Sequence, residues 1–191
     1  NKTAQIFLNG SQVFVVTAGY GWIYEGGVLD RAFITNGTGT VNTSGTSVTW
    51  VSGDKFTSDM VNVNNRIVIN GTNYTVSAFI DDEHLTLSTS AGTLSGYNYS
   101  AYLPLKVDTG AFLGGYFLAS VPTTGTPSAT DAKTVMFSAV RDGKYWDPLD
   151  FIVKEAQPDN LAAIFVDHEE LYMFGTRTTE VWRLTGGATT F

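Results

Sequence analysis

Three acidic segments gather the residue types that could do chemistry. Asp142-Gly143-Lys144-Tyr145-Trp146-Asp147-Pro148-Leu149-Asp150 sets three carboxylates in one short stretch, and calcium takes roughly six to eight oxygen ligands. The stretch lacks the alternating Asp or Asn positions and the closing Glu of a calcium loop, and Asp-Gly is a common turn pair. A structural turn is therefore expected here. Asp81-Asp82-Glu83-His84 and Asp167-His168-Glu169-Glu170 each place acids beside one of the two histidines, a chemistry that suits divalent metals. Successive side chains of an extended chain point to alternate sides, so four in a row do not converge on one ion. Both are expected to be solvated hairpin turns, and no metal site is expected.

Catalytic patterns are equally sparse. A glycosidase needs two carboxylates roughly 5–10 Å apart in a cleft, whereas the acids here fall in turns. No Gly-x-Ser-x-Gly elbow, phosphate loop or dinucleotide fingerprint is present. Without cysteine there is no thiolate nucleophile, thiolate metal site or disulfide framework. No catalytic residue, cofactor or enzymatic activity is expected.

Composition narrows the class further. Eleven Lys plus Arg stand against eighteen Asp plus Glu in 191 residues, a formal charge of −7. Broad attraction to nucleic acid needs a basic face, so no sequence-specific nucleic-acid partner is expected. With 43% hydrophobic and 13% aromatic residues the chain can bury a core. No apolar run approaches about 20 residues, so no membrane span is expected. The chain opens at Asn1 without a methionine or a signal-peptide pattern, and a processed product or excised piece is expected. Seven Asn-x-Ser/Thr triplets begin at Asn1, Asn9, Asn36, Asn42, Asn70, Asn73 and Asn98. They are read as polar residues on exposed strand faces rather than as glycosylation sites.

The elements that must carry these residues are strands. Gln5-Ile6-Phe7-Leu8, Gln12-Val13-Phe14-Val15-Val16 and Gly21-Trp22-Ile23-Tyr24 are short aromatic and β-branched runs, joined by Asn9-Gly10 and Gly19-Tyr20-Gly21 turns. The same rhythm returns in 115–121, 133–138, 161–166, 171–175 and 179–184. No window of a dozen residues is read as holding a helical i, i+3, i+4, i+7 apolar stripe without Gly or Pro interrupting it. The fold class is all-β. Its expected form is a set of propeller-like antiparallel blades with an inserted small β-barrel or sandwich domain.

The division is 1–35, one blade; 36–103, the insert, rich in Thr, Ser, Asn and Gly; and 104–191, about one and a half further blades. Closing a propeller takes about four or more blades, so an incomplete propeller is expected, its insert interrupting the early blade region. Within the insert Trp50, Tyr97, Tyr99 and Tyr102 are candidates for a glycan- or receptor-binding surface. Aromatic faces stack on sugar rings, but cross-strand aromatics also build small cores. Tyr97 and Tyr99 share one face of their strand and Tyr102 lies on the other.

Several segments together resemble a known family. Gly114-Gly115-Tyr116-Phe117, Phe137 through Phe151, Glu155-Ala156-Gln157-Pro158-Asp159, Glu170 through Gly175, Thr179-Glu180-Val181-Trp182 and residues 12–24 are similar to the propeller of the packaged DNA stabilisation proteins, or tail accessory factors, of short-tailed phages. Ser52 through Phe56 and Tyr74-Thr75-Val76 look like parts of small β modules in other phage virion proteins. The resemblance implies a structural protein of the virion tail that sits on the head-to-tail adaptor and helps to retain packaged DNA. It implies a homo-oligomeric ring and contacts with the adaptor, the tail needle or other tail components. A host-surface glycan is a further expected partner, through the insert. Trp146, Asp147, Asp150 and Trp182 are expected to form structural turns and interfaces, with Trp146 locking its turn onto a neighbouring blade.

Overall fold

The computed structural model describes residues 3–61, 65–122, 133–156 and 159–184. Asn1, Gln157 and Pro158, named above, lie outside the described residues. The chain forms two compact units, one of Asn1–Ile34 with Leu105–Phe191 and the other of Thr35–Pro104. Every described element is a strand except a 3₁₀ turn at Ser58–Val61.

The first sheet holds β1 (Gln5–Leu8), β2 (Val13–Thr17), β3 (Tyr20–Glu25) and β4 (Val28–Arg31), side by side in that order. Its tight turns are spelled by residues that accept positive φ. Ala18 and Gly19 adopt φ of 53° and 81°, and Gly26 and Gly27 adopt 57° and 87°. Asn9 Oδ1 accepts the backbone N–H groups of Ser11 and Gln12 at 3.0 and 2.7 Å, an Asx turn that fixes the first hairpin.

The second unit is one curled sheet, a half-barrel. Its strands are β5 (Phe33–Ser44), β6 (Ser47–Gly53), β7 (Arg66–Ile69), β8 (Thr72–Tyr74), β9 (Val76–Asp81), β10 (His84–Leu87) and β11 (Thr93–Pro104), ordered β8-β7-β11-β5-β6-β10-β9. Alternation along these strands sends Val41, Val48, Ile67, Ile69, Leu85, Leu87 and Tyr99 into one core, with Phe56 and Met60 from the loop after β6. Gly53, at φ 91°, lies so near Gly39 that a Cβ would come within 2.4 Å of the Thr38 carbonyl oxygen. Only glycine fits there.

The first unit resumes with β12 (Thr109–Leu113), β13 (Tyr116–Ser120), β14 (Thr134–Phe137), the two-residue β15 (Tyr145–Trp146) and β16 (Phe151–Val153). They build a second four-stranded sheet, β12-β13-β14-β16, while β15 pairs in parallel with Phe33 and Ile34 at the start of β5. A third sheet follows in the order β17 (Leu161–Asp167), β18 (Glu170–Gly175) and β19 (Thr179–Arg183). Innermost strands lie beside one another, β1 by β12 and β12 by β17. Three sheets whose first strands gather side by side are propeller blades.

Two expectations are corrected. The second flank supplies two blades, of four and three described strands, rather than one and a half. The insert does not interrupt a blade: the first blade is complete at Arg31, and the chain returns at Leu105 ahead of the first strand of the second blade. A crossing from an outer strand to the next inner strand already runs over the surface, so lengthening it costs little more than loop closure.

Candidate functional site

Propeller edges pose a hydrogen-bonding problem, because the innermost strand of each blade has one side without a ladder partner. Side chains of the preceding blade solve it here. Gln5 Oε1 accepts the Gly110 N–H at 2.9 Å, and Thr109 Oγ1 accepts the Ile164 N–H at 3.2 Å. Ser120 Oγ sits 2.8 Å from Thr109 Oγ1 and also accepts the Thr109 N–H. An open groove of about 450 Å³, lined by Thr3, Gln5, Thr17, Asp108, Thr109 and Ala162, runs along one end of these strands. A second groove, of about 380 Å³, is mainly apolar and is bordered by Ile6, Phe7, Phe112 and Phe165.

The seam between the first two blades centres on the acidic turn. Gln12 is 3% exposed, and both its side-chain nitrogen and its side-chain oxygen have partners. Its Nε2 donates to Glu25 Oε1 at 3.1 Å and to Asp142 Oδ1 at 3.2 Å, and its Oε1 accepts the Gly143 N–H at 2.9 Å. Lys144 pairs with Glu25. That ammonium, then the Gln12 amide, holds the Glu25 carboxyl below its ordinary value, and Glu25 in turn raises Lys144.

Trp146 is fully buried. Its Nε1 donates to the Gly143 carbonyl at 2.7 Å, and its ring lies 5.6 Å from Phe14, which is 5.3 Å from Phe117. One aromatic column thus joins the two blades. Asp147 Oδ1 accepts the Leu149 N–H at 2.8 Å, and the Asp147 carbonyl accepts the Asp150 N–H at 3.1 Å. Burial, then the nearby Asp147 charge, raises the Asp150 carboxyl. The Asp142 and Asp147 carboxylates thus serve N–H donors of the fold itself.

A second polar lock, which pattern reading missed, closes the third blade. Lys154 has a fully buried side chain whose Nζ pairs with Asp159 and lies 3.6 Å from Glu180 Oε1. Asp159 also accepts from the Thr178 hydroxyl at 2.8 Å and the Thr178 N–H at 3.1 Å. The Lys154 ammonium leads these donors in holding the Asp159 carboxyl well below the usual carboxylate range. Glu180 accepts the Ala156 N–H at 2.9 Å and Trp182 Nε1 at 3.3 Å. Trp182 packs beside Leu171 and Met173. Its Glu180-x-Trp182 spacing was visible in the sequence, but the cation that organises it was not.

The insert's aromatic candidates do not converge. Tyr99 is 2% exposed, stacked edge-on to Phe56 at 5.4 Å, with its hydroxyl donating to the Asp54 carbonyl. It is a core residue, which corrects its assignment to a binding surface. Trp50 Nε1 donates to the same carbonyl at 3.0 Å, and Lys55 Nζ covers the ring at 3.8 Å. Tyr97 is exposed and Tyr102 half-buried. Asp54 is the hub, because its side chain also accepts the Thr38 N–H at 2.9 Å.

The acidic turns hold their histidines locally. Asp81 Oδ1 takes the Glu83 N–H at 2.9 Å and meets His84 Nδ1 at 2.7 Å. Asp167 Oδ2 lies 2.9 Å from His168 Nδ1 and raises that imidazole. Among the described residues no group of three or more His, Asp or Glu side chains is placed to hold a metal. What this unit offers chemically is a set of hydrogen-bonded seams and apolar sheet faces.

The family model described as bacteriophage P22 Gp10, beta-propeller, covers residues 18–191. No curated protein matches.

Proposed function

We propose, from the premise that the chain belongs to the bacteriophage P22 Gp10 β-propeller family, that it is a wall element of the phage tail at the head-to-tail connection. Family membership carries a phage structural, DNA-stabilising role and a virion location. The finer assignment, to the tail, is our reading. In it the protein works without catalysis, packed against identical copies in a ring and against adaptor and tail components.

The observation that best supports this reading is the buried seam at Gln12, Gly143 and Trp146. Retaining DNA under pressure needs parts that do not slide past one another, and a seam made of buried, fully used hydrogen bonds and interlocked rings is stiff. An excess of seven negative charges disfavours sticking to a polyanion, which suits a wall that DNA must pass.

Particles assembled with Gly143→Ala test the proposal. They are expected to release DNA at lower temperature than wild-type particles while packaging normal amounts. Unchanged release, with the variant incorporated and destabilised, would contradict it.

A further inference from the structure

Three Asn-Gly pairs occur in the chain, at Asn9-Gly10, Asn36-Gly37 and Asn70-Gly71. An asparagine followed by glycine can lose ammonia without an enzyme, because no Cβ on the second residue shields its backbone nitrogen. That nitrogen must reach the asparagine Cγ, so the backbone has to leave its folded conformation and the carboxamide has to be free to turn. The structure treats the three pairs differently.

Asn9 is held at both ends of its carboxamide. Its Oδ1 accepts the Ser11 and Gln12 N–H groups at 3.0 and 2.7 Å, and its Nδ2 donates to the Arg141 carbonyl at 3.2 Å. Asn36 lies inside β5, which runs between β11 and β6, and its Nδ2 donates to Thr57 Oγ1 at 3.0 Å. Gly37 beside it is packed as well, since a Cβ there would lie 3.3 Å from Asp54 Cβ. Asn70 and Gly71 instead form the two-residue tip of the hairpin between β7 and β8, with φ of 49° and 75°. Both are exposed. The Asn70 N–H donates to the Asn98 carbonyl at 3.1 Å. Among the described residues nothing bonds the Asn70 carboxamide or the Gly71 N–H. Apart from the adjoining chain, nothing lies within 4 Å of where a Gly71 Cβ would stand.

We propose that Asn70 is a site of spontaneous deamidation, selected from the three Asn-Gly pairs by the fold. In the reaction the Gly71 nitrogen attacks Asn70 Cγ. The N–Cγ bond forms, the Cγ–Nδ2 bond breaks, and the N–H proton leaves with Nδ2 as ammonia. Water then opens the resulting five-membered imide at either carbonyl and gives aspartate or isoaspartate. One water is consumed and one ammonia released, so the reaction needs no other reactant. Each event replaces a neutral side chain by a carboxylate and adds to the formal charge of −7. The isoaspartate form also routes the main chain through the side-chain methylene, which a two-residue turn cannot absorb without shifting its strands. That turn pairs Ile69 with Thr72 and Ile67 with Tyr74, and both isoleucines belong to the core of the second unit. The modification therefore falls where β8, the end strand of that sheet, is fastened.

Peptide mapping by mass spectrometry is the test, on the full chain incubated folded and incubated unfolded in guanidinium chloride at the same mildly alkaline pH. In the folded chain Asn70 is expected to gain about 1 Da at least about tenfold faster than Asn9 or Asn36, because each bond that must open thins the reactive population. In denaturant the three are expected to react at similar rates. Asn70→Gln is expected to abolish the fast mass gain of the folded chain. Asn9 or Asn36 reacting as fast as Asn70 in the folded chain, or Asn70 keeping its amide there while it reacts in denaturant, would overturn the assignment. The same ranking in denaturant would overturn selection by the fold.

Discussion

The backbone N–H of Gly143 donates to Gln12 Oε1 at 2.9 Å, a buried bond between residues 131 positions apart. It ties the end of the first hairpin of one blade to the acidic turn of the next. The same amide side chain gathers Glu25 and Asp142, so a single neutral residue holds two carboxylates and one backbone donor at the seam.

Gln12→Leu removes the acceptor and strands the Gly143 N–H in a closed interior. A buried donor left unpaired costs about 1–3 kcal/mol, so urea unfolding is expected to shift to lower midpoint with unchanged slope. An unshifted midpoint would mean that the seam does not depend on this bond.

Gly143→Ala probes the same seam by volume. A Cβ there would come within 2.6 Å of Ile23 Cδ1 and 2.7 Å of Phe117 Cδ2, and overpacking of this kind costs about 1–3 kcal/mol. Gln12→Leu and Gly143→Ala share partners, so the double variant is expected to lose less than the sum of the two singles. Strict additivity in a double-mutant cycle would argue that the two residues act independently.

Tyr99 gives an alkaline signature. Burial, with a smaller contribution from the Asp54 charge, pushes its phenol up to about 12 from the ordinary 10.0. Because the folded value lies above the unfolded one, its contribution is complete below pH 10 and is lost as pH rises from 10 toward 12. Ultraviolet titration of the folded protein should show Tyr99 among the late-ionising tyrosines, with Tyr172 also raised through its bond to Glu170, and the late amplitude should shrink in Tyr99→Phe. At neutral pH the same variant should be about 1 kcal/mol less stable, from loss of the bond to the Asp54 carbonyl.

Asp159 gives the acid counterpart. Its folded carboxyl lies well below the ordinary range, chiefly through Lys154, so its contribution is present above about pH 4 and is lost as pH falls below that value. Denaturant titrations between pH 5 and 2 are expected to fall more steeply for wild type than for Asp159→Asn. Parallel curves would show that the pair does not contribute to acid stability.

Much of this was legible in the sequence, for identifiable reasons. Hairpins announced themselves where alternation met turn residues, as at Asn9-Gly10, and the Asp142-Gly143 turn with Trp146 stood out by composition. Val28–Arg31 escaped notice, because four residues with two exposed apolar and two charged side chains show no alternation. That strand completes the first blade, so without it the sequence places the insert inside a blade that the insert in fact follows. Gln12 and Lys154 were invisible for another reason: strand pattern assigns polar residues to the surface, and only tertiary partners make their burial tolerable. Tyr97 and Tyr99 share a face by parity, yet Tyr99 lies opposite Ile69 of β7 and packs on Phe56 while Tyr97 is exposed. Parity gives the side of a sheet, and the neighbour decides burial.

We propose that this chain is part of the tail wall at the head-to-tail connection. Cryo-electron microscopy of the intact particle tests it most directly. The expected result is density matching the three-bladed unit and its insert in a ring of copies below the portal. Density for the unit in the capsid shell, or nowhere in the virion, would contradict it.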